Sequence, residues 1–274
     1  MTALPPLLSA NTVHARRQLP IWIALTFSAG AVNAVALAAC QRFVTHVTGT
    51  ATLVGTDHQE PWLVVQYACV LVCFILGAMT SVVLLDGRRL RHRAPMPLVP
   101  LTIVVAVLAT TAGLGIAGVF GPFGSTVETP GDFVLLSLLA FAMGLQNASV
   151  ATTTGMIVRT THMTGPVTDF AVAIATAQMV REGVVAEAAR RSAWIRGWKI
   201  AAFIGGALAG ALVAMRAEYA AFLLPAGTTL GATLLLWRSL EESQRPAELL
   251  RQATREQAIA RPDARLEPAD ASAE

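Results

Sequence analysis

Between Trp62 and Leu85 the chain carries no charged side chain. A helix of that length reaches about 36 Å, enough to cross a hydrocarbon core of roughly 30 Å. In lipid the backbone of such a run must satisfy its own hydrogen bonds, which a helix does within the segment. Further apolar runs lie at Leu19–Cys40, Met96–Val119, Phe133–Met156, Ile200–Met215 and Tyr219–Trp237. Hydrophobic residues make up 54% of the 274, charged residues only 14%, and the mean hydropathy is +0.58. A soluble domain carries roughly 25% charged residues. The expectation is an all-α, polytopic helical membrane protein with about six transmembrane helices.

The basic residues give an orientation. With the N-terminus inside, the inner segments are 1–18, 86–95, 157–199 and 238–274. They hold all of the 20 lysines and arginines except Arg42 and Arg216. Positive charge is retained on the cytoplasmic side, so both termini are expected there, in the cell inner membrane. The divisions are a cytoplasmic leader (1–18), a first membrane repeat (19–120), an extracytoplasmic loop (121–131), a second repeat (132–237) and a cytoplasmic tail (238–274), partly disordered. Residues 181–199 read as a surface helix, separate from the apolar run after it. No signal-peptide cleavage site follows the first run, so it reads as a retained span.

Two polar stretches interrupt this pattern and resemble each other. Gly30 and Asn33 are followed by Arg42 and His46-Val47-Thr48-Gly49; Gly144 and Asn147 are followed by Arg159 and His162-Met163-Thr164-Gly165. The shared pattern is G-x-x-N, then H-x-T-G. The stretch 41–61 is too polar for an ordinary span and too apolar for a simple loop. Val167–Val180 is too short to cross a core of roughly 30 Å. Each reads as a broken or re-entrant segment, shielded inside the protein. Three spans in each half make the halves antiparallel, an inverted repeat of the kind found in secondary transporters.

Each polar residue has a bland reading beside the functional one. Gly49 and Gly165 suit a sharp turn or close backbone approach. Thr48 and Thr164 suit helix caps. His46 and His162 can relay a proton or bind a polar group, or simply hold the broken backbone. Asn33 and Asn147 can meet a ligand or an unwound segment. Arg42 and Arg159 need an anion, carbonyls or water if buried. Asp169, in apolar surroundings, is the stronger proton-coupling candidate, and Asp57 the weaker. Cys40, Cys69 and Cys73 read as buried small residues.

No zinc-finger spacing, phosphate-binding loop, metalloprotease motif or G-x-S-x-G elbow occurs. Neither a cofactor, a metal site, nucleic-acid binding nor a catalytic set is expected. The leading expectation is a secondary transporter of a small polar or anionic solute, with membrane lipid as its surroundings. The alternatives are a membrane-embedded enzyme or lipid-interacting protein, and a structural or sensory membrane partner.

The run F-V-T-H-V-T-G-T at 43–50, A-M-G-L-Q-N-A at 142–148 and T-T-H-M-T-G at 160–165 resemble the YoaK-like family of uncharacterised bacterial membrane proteins. The resemblance covers roughly residues 18–237. It departs at Thr50, where the family pattern reads T-G-N, and at Asn33, where many members carry Asp. The resemblance implies a polytopic inner-membrane protein and brings no substrate or reaction.

Overall fold

The computed structural model describes residues 7–8, 18–125, 129–156, 158–180 and 182–260, with side chains described as far as Glu241. Its helices are α1 (Leu19–Cys40), α2 (Val47–Thr56), α3 (Pro61–Val82), α4 (Leu98–Ile116), α5 (Pro130–Thr153), α6 (Thr164–Met179), α7 (Val184–Ala217) and α8 (Leu223–Ala260). A π-helical turn, Val83–Gly87, and a short helical piece, Arg88–Leu90, extend α3; a 3-10 turn, Glu218–Phe222, joins α7 to α8. The short leader and the end of the tail fall mostly outside the described residues.

The helix starts follow from local chemistry. Pro20, Pro61 and Pro130 occupy first-turn positions, where a missing N–H costs nothing and the fixed φ fits. Thr129 caps α5: its hydroxyl oxygen accepts from the Asp132 amide at 3.3 Å and donates to the Asp132 carboxylate at 2.6 Å. Asp132 is fully buried in the first turn of α5. Pro225, expected inside a span, also lies in a first turn, because α8 begins only at Leu223.

Five helical stretches among the described residues are long and apolar enough to cross a membrane. The last runs from Val184 to Glu241, and it breaks at Glu218, where φ is 46° and ψ −125°. The separate surface helix expected at 181–199 does not exist: it is continuous with the apolar run after it, as α7. Only Gly197 weakens its interior up to the glycines near Phe203. A helical glycine costs about 1 kcal/mol, which packing offsets. By contrast α2, at ten residues, and α6, at sixteen, reach only about 15 and 24 Å.

Packing sorts the helices by exposure. α1 and α5 are mostly buried, whereas α3 presents Val65, Val72, Ile75, Leu76 and Met79 outward, and α7 presents Ile204, Leu208, Leu212 and Met215. α1 packs along α7 and α5 along α3, the two most extensive helix pairs; α8 lies on α1 and α4 lies on α5.

One device closes both major pairs. Phe27, Phe74, Phe141 and Phe203 each precede a glycine by three residues. A methyl group on Gly30 would overlap the Phe203 carbonyl, and one on Gly206 the Phe27 carbonyl. The same reciprocity holds between Gly77 and Phe141, and between Gly144 and Phe74. The glycines let two backbones approach to contact, the small-residue packing used between membrane helices. The G-x-x-x-G pair Gly206 and Gly210 contributes as its spacing predicts, with Gly210 against Ala31.

Helix ends gather at two opposite faces. At one, Gln18 Nε2 donates to Ser239 Oγ at 2.6 Å and the Leu8 amide to the Thr153 carbonyl at 3.0 Å. At the other, the Gly124 amide donates to the Ala39 carbonyl at 2.8 Å, and Tyr219 packs on Phe123 and over Gly115. In mid-bundle, Ser28 Oγ reaches Thr229 Oγ1 at 2.7 Å and the Pro225 carbonyl at 3.1 Å, pinning α1 to α8.

Candidate functional site

The first motif is positioned by a turn and an asparagine. Gln41 ends α1 in the left-handed region, φ 56°, which redirects the chain. The Asn33 carbonyl oxygen then accepts from the Val44 and Thr45 amides at 3.1 and 3.0 Å, and its Nδ2 donates to Thr45 Oγ1. Asn33 lies seven residues before the end of α1, so Thr45 has come back about 10 Å along that helix. These bonds supply the irregular backbone with partners that lipid cannot.

The second motif repeats the plan from the other face. Gly155 and Met156 take positive φ after α5, and the Asn147 side chain accepts from the Thr161 amide at 3.4 Å. Gln146 adds a bond of its own: Nε2 donates to the Leu25 carbonyl at 3.0 Å and to Thr160 Oγ1 at 3.3 Å. It therefore joins α1, α5 and the returning segment.

The two returning segments line one cavity of about 290 Å³. Its walls include His46 and Thr48 from the first motif, His162 and Thr164 from the second, and Asn147 and Arg159. Phe74 and Phe203 close it, so it sits beside both close-packed helix crossings. Both imidazoles are exposed rather than sealed in dry protein. The walls carry a guanidinium, two imidazoles, an amide and hydroxyls, and no carboxylate. That set is complementary to an anion, and the volume is at the small end of ligand pockets, which start near ~300 Å³.

Several local expectations change. Thr48 and Thr164 do not cap by side chain; the residues before α2 and α6 are His46 and Met163, without side-chain caps. Instead Nε2 of His162 accepts from the Gly165 amide at 3.4 Å. Gly49 and Gly165 lie in first helical turns rather than at a sharp turn. A methyl group on Gly165 would crowd the His162 ring, so this glycine makes room for the imidazole. Cys69, expected to be buried, is exposed on the outside of α3, while Cys40 is buried.

The remaining candidates lie apart. Asn33 holds the loop and does not line the shared cavity. Arg42 and Gly49 line a second cavity, toward α3. Asp169 pairs with Arg196 on α7 at 3.2 Å, both partly exposed. Asp57 lies at the end of α2, where its carboxylate accepts from the neighbouring Thr56 hydroxyl.

Lys199 escaped sequence reasoning. It is 5% exposed, and its ammonium donates to the Arg159 carbonyl at 2.8 Å, fastening the second returning segment to α7. The clue was its spacing: Lys199, Phe203, Gly206 and Gly210 fall on one helical face. Among the described residues, no group of three His, Cys, Asp or Glu side chains gathers for a metal ion.

Apolar helices of membrane length, with lipid-facing exteriors around a polar cavity, define a multi-pass helical membrane protein. The chain belongs to the family described as "Protein of unknown function (DUF1275)", which matches residues 21–235, and this is the YoaK-like family that its H-x-T-G motifs resemble. No curated protein and no solved structure matches it.

Proposed function

We propose that this protein is a secondary transporter of a small anionic solute, alternating around the cavity between the two returning segments. The single observation that carries the reading is that His46 and His162, from segments 116 positions apart in the chain, line one polar cavity. In this reading six spans form two inverted three-span repeats, and α2 and α6 are re-entrant arms from opposite faces. The pairing of α1 with α7 and α5 with α3 supports that arrangement, because each half's first helix packs on the other half's second long helix. The distribution of the basic residues supports a reading with both termini in the cytoplasm and the spans in the cell inner membrane.

The chemistry follows from the walls. Arg159 supplies a fixed positive charge, and Asn147, Thr48 and Thr164 supply hydrogen bonds. His46 and His162 bind the solute from the two sides of the cavity and gate its exits. Rocking one helix pair against the other opens the cavity to each face in turn. Any coupling proton falls to the carboxylate of Asp169, which pairs with Arg196.

The test is uptake into proteoliposomes with a panel of labelled carboxylates and phosphates. His46→Ala and His162→Ala should each lose uptake while keeping the wild-type elution profile. Full uptake by both variants would refute the shared site.

A further inference from the structure

We infer that the cavity between α2 and α3 is a second, separate binding site for an oxyanion, anchored by Arg42. It measures about 380 Å³ and is lined by Arg42, His46, Thr50, Leu53, Tyr67 and Val70, among others. Arg42 Nη2 donates to the Tyr67 hydroxyl at 3.0 Å, and the guanidinium lies 5.5 Å from the centre of that ring. These contacts orient the group without neutralising it. Among the described residues Arg42 has no carboxylate partner, and its Nε is buried without an acceptor. An arginine held through one N–H of Nη2 keeps Nη1 and the second Nη2 N–H as a fork that fits a carboxylate or phosphate.

The two halves differ in the charges around this cavity. The F-x-x-G glycines set the register: Tyr67 precedes Phe74 by seven residues as Arg196 precedes Phe203, and Val70 stands where Lys199 does. Counting from the motif histidines, Leu53 stands where Asp169 does. In the second half these positions form the Asp169–Arg196 pair and the Lys199 bond to the Arg159 carbonyl. In the first half all three are uncharged, and all three line the cavity. At these positions the second half carries an ion pair and a lysine, whereas the first carries no charge that Arg42 could pair with. His46 lines both cavities, so an anion at Arg42 sits next to the shared one.

The site draws only its outward placement from the transport reading, and its test needs no transport. The ligand class is a carboxylate or phosphate oxyanion, free or as a lipid headgroup. The full chain in detergent is titrated with inorganic phosphate at constant ionic strength, and thermal unfolding is followed. Wild type should show a saturable rise in Tm. Arg42→Gln should abolish it, and Arg42→Lys, which keeps the charge but not the fork, should weaken apparent affinity by about tenfold. Arg216→Gln, at an exposed base that lines neither cavity, should leave it within about twofold of wild type. Arg42→Lys also guards against misreading a folding defect as lost binding.

A parallel arm uses nanodiscs of phosphatidylcholine with or without phosphatidylglycerol. Arg42-dependent retention of phosphatidylglycerol, seen by native mass spectrometry, assigns the headgroup source and supports the site. Arg42-dependent phosphate binding alone assigns the free anion. The inference is overturned if Arg42→Gln binds both probes as wild type does, if neither probe binds wild type, or if Arg216→Gln rather than Arg42→Gln removes the phosphate effect.

Discussion

The first returning segment and the second share a backbone plan and differ in chemistry. Each begins at a left-handed break, folds back to an asparagine of its own helix, and brings a histidine to the common cavity. Each lies beside a helix crossing closed by reciprocal F-x-x-G glycines. Beyond that they diverge. Asn33 makes three bonds to its segment; Asn147 makes one long bond and shares the work with Gln146 and Lys199. The second half neutralises a base with Asp169, whereas the first leaves Arg42 beside Tyr67. The common part is what steric contact and backbone satisfaction demand. The differing part is where a ligand can be recognised from one side and not the other.

The common part should be the most fragile. Gly30→Val and Gly144→Val both drive a side chain into the opposing carbonyl, at Phe203 and Phe74 respectively. Helix pairs packed this closely cannot absorb it, and the expected loss is about 3 kcal/mol or more for each. Gly205→Ala, with open space around it, should be neutral or gain up to about 1 kcal/mol. Thermal unfolding and yield of folded protein read all three. If one crossing tolerates valine and the other does not, the two crossings are not equivalent.

Next come the asparagines. Asn33→Ala leaves the buried Val44 and Thr45 amides without their acceptor and should cost about 3 kcal/mol. Asn147→Ala removes one bond at 3.4 Å and should cost about 1 kcal/mol. Equal losses would mean that the two segments are held alike. Lys199→Met follows. It deletes a charged donor to the Arg159 carbonyl, with an expected loss of about 2 kcal/mol. Val70→Met at the matching position should stay below about 1.5 kcal/mol.

How much of this was legible in the sequence differs by feature. The ends of α1 are plain because Leu19–Cys40 is an uncharged, mostly apolar run whose polar flanks are Gln18 and Gln41. The repeated H-x-T-G motif was equally plain, because polar residues are costly in an apolar chain and stand out. Lys199 was hidden among neighbouring arginines, since proximity in sequence suggests one shared surface and helical spacing assigns faces instead. The α7 boundary was misplaced for a related reason: a change from charged to apolar composition marks the membrane interface, not the end of a helix. The F-x-x-G contacts could not be read from either half alone, because a glycine says that something approaches, not what. The ion pair of Asp169 likewise depends on Arg196, 27 residues away, and only the packing of α6 on α7 brings them together.

That pair gives the smallest and most specific prediction. Both partners are partly exposed, so Asp169→Asn should change stability by less than about 1 kcal/mol. Its counterpart Leu53 has no charge to lose, and any proton coupling through this position therefore belongs to the second half alone. In proteoliposomes Asp169→Asn should keep solute counterflow, which needs only the shared cavity. It should lose the acceleration of uptake by an imposed proton gradient. Arg196→Gln removes the other partner and leaves the carboxylate in place. It should retain the acceleration while matching Asp169→Asn in stability. If both variants lose it together, the pair serves as a brace for α6, and the two halves differ in their packing alone.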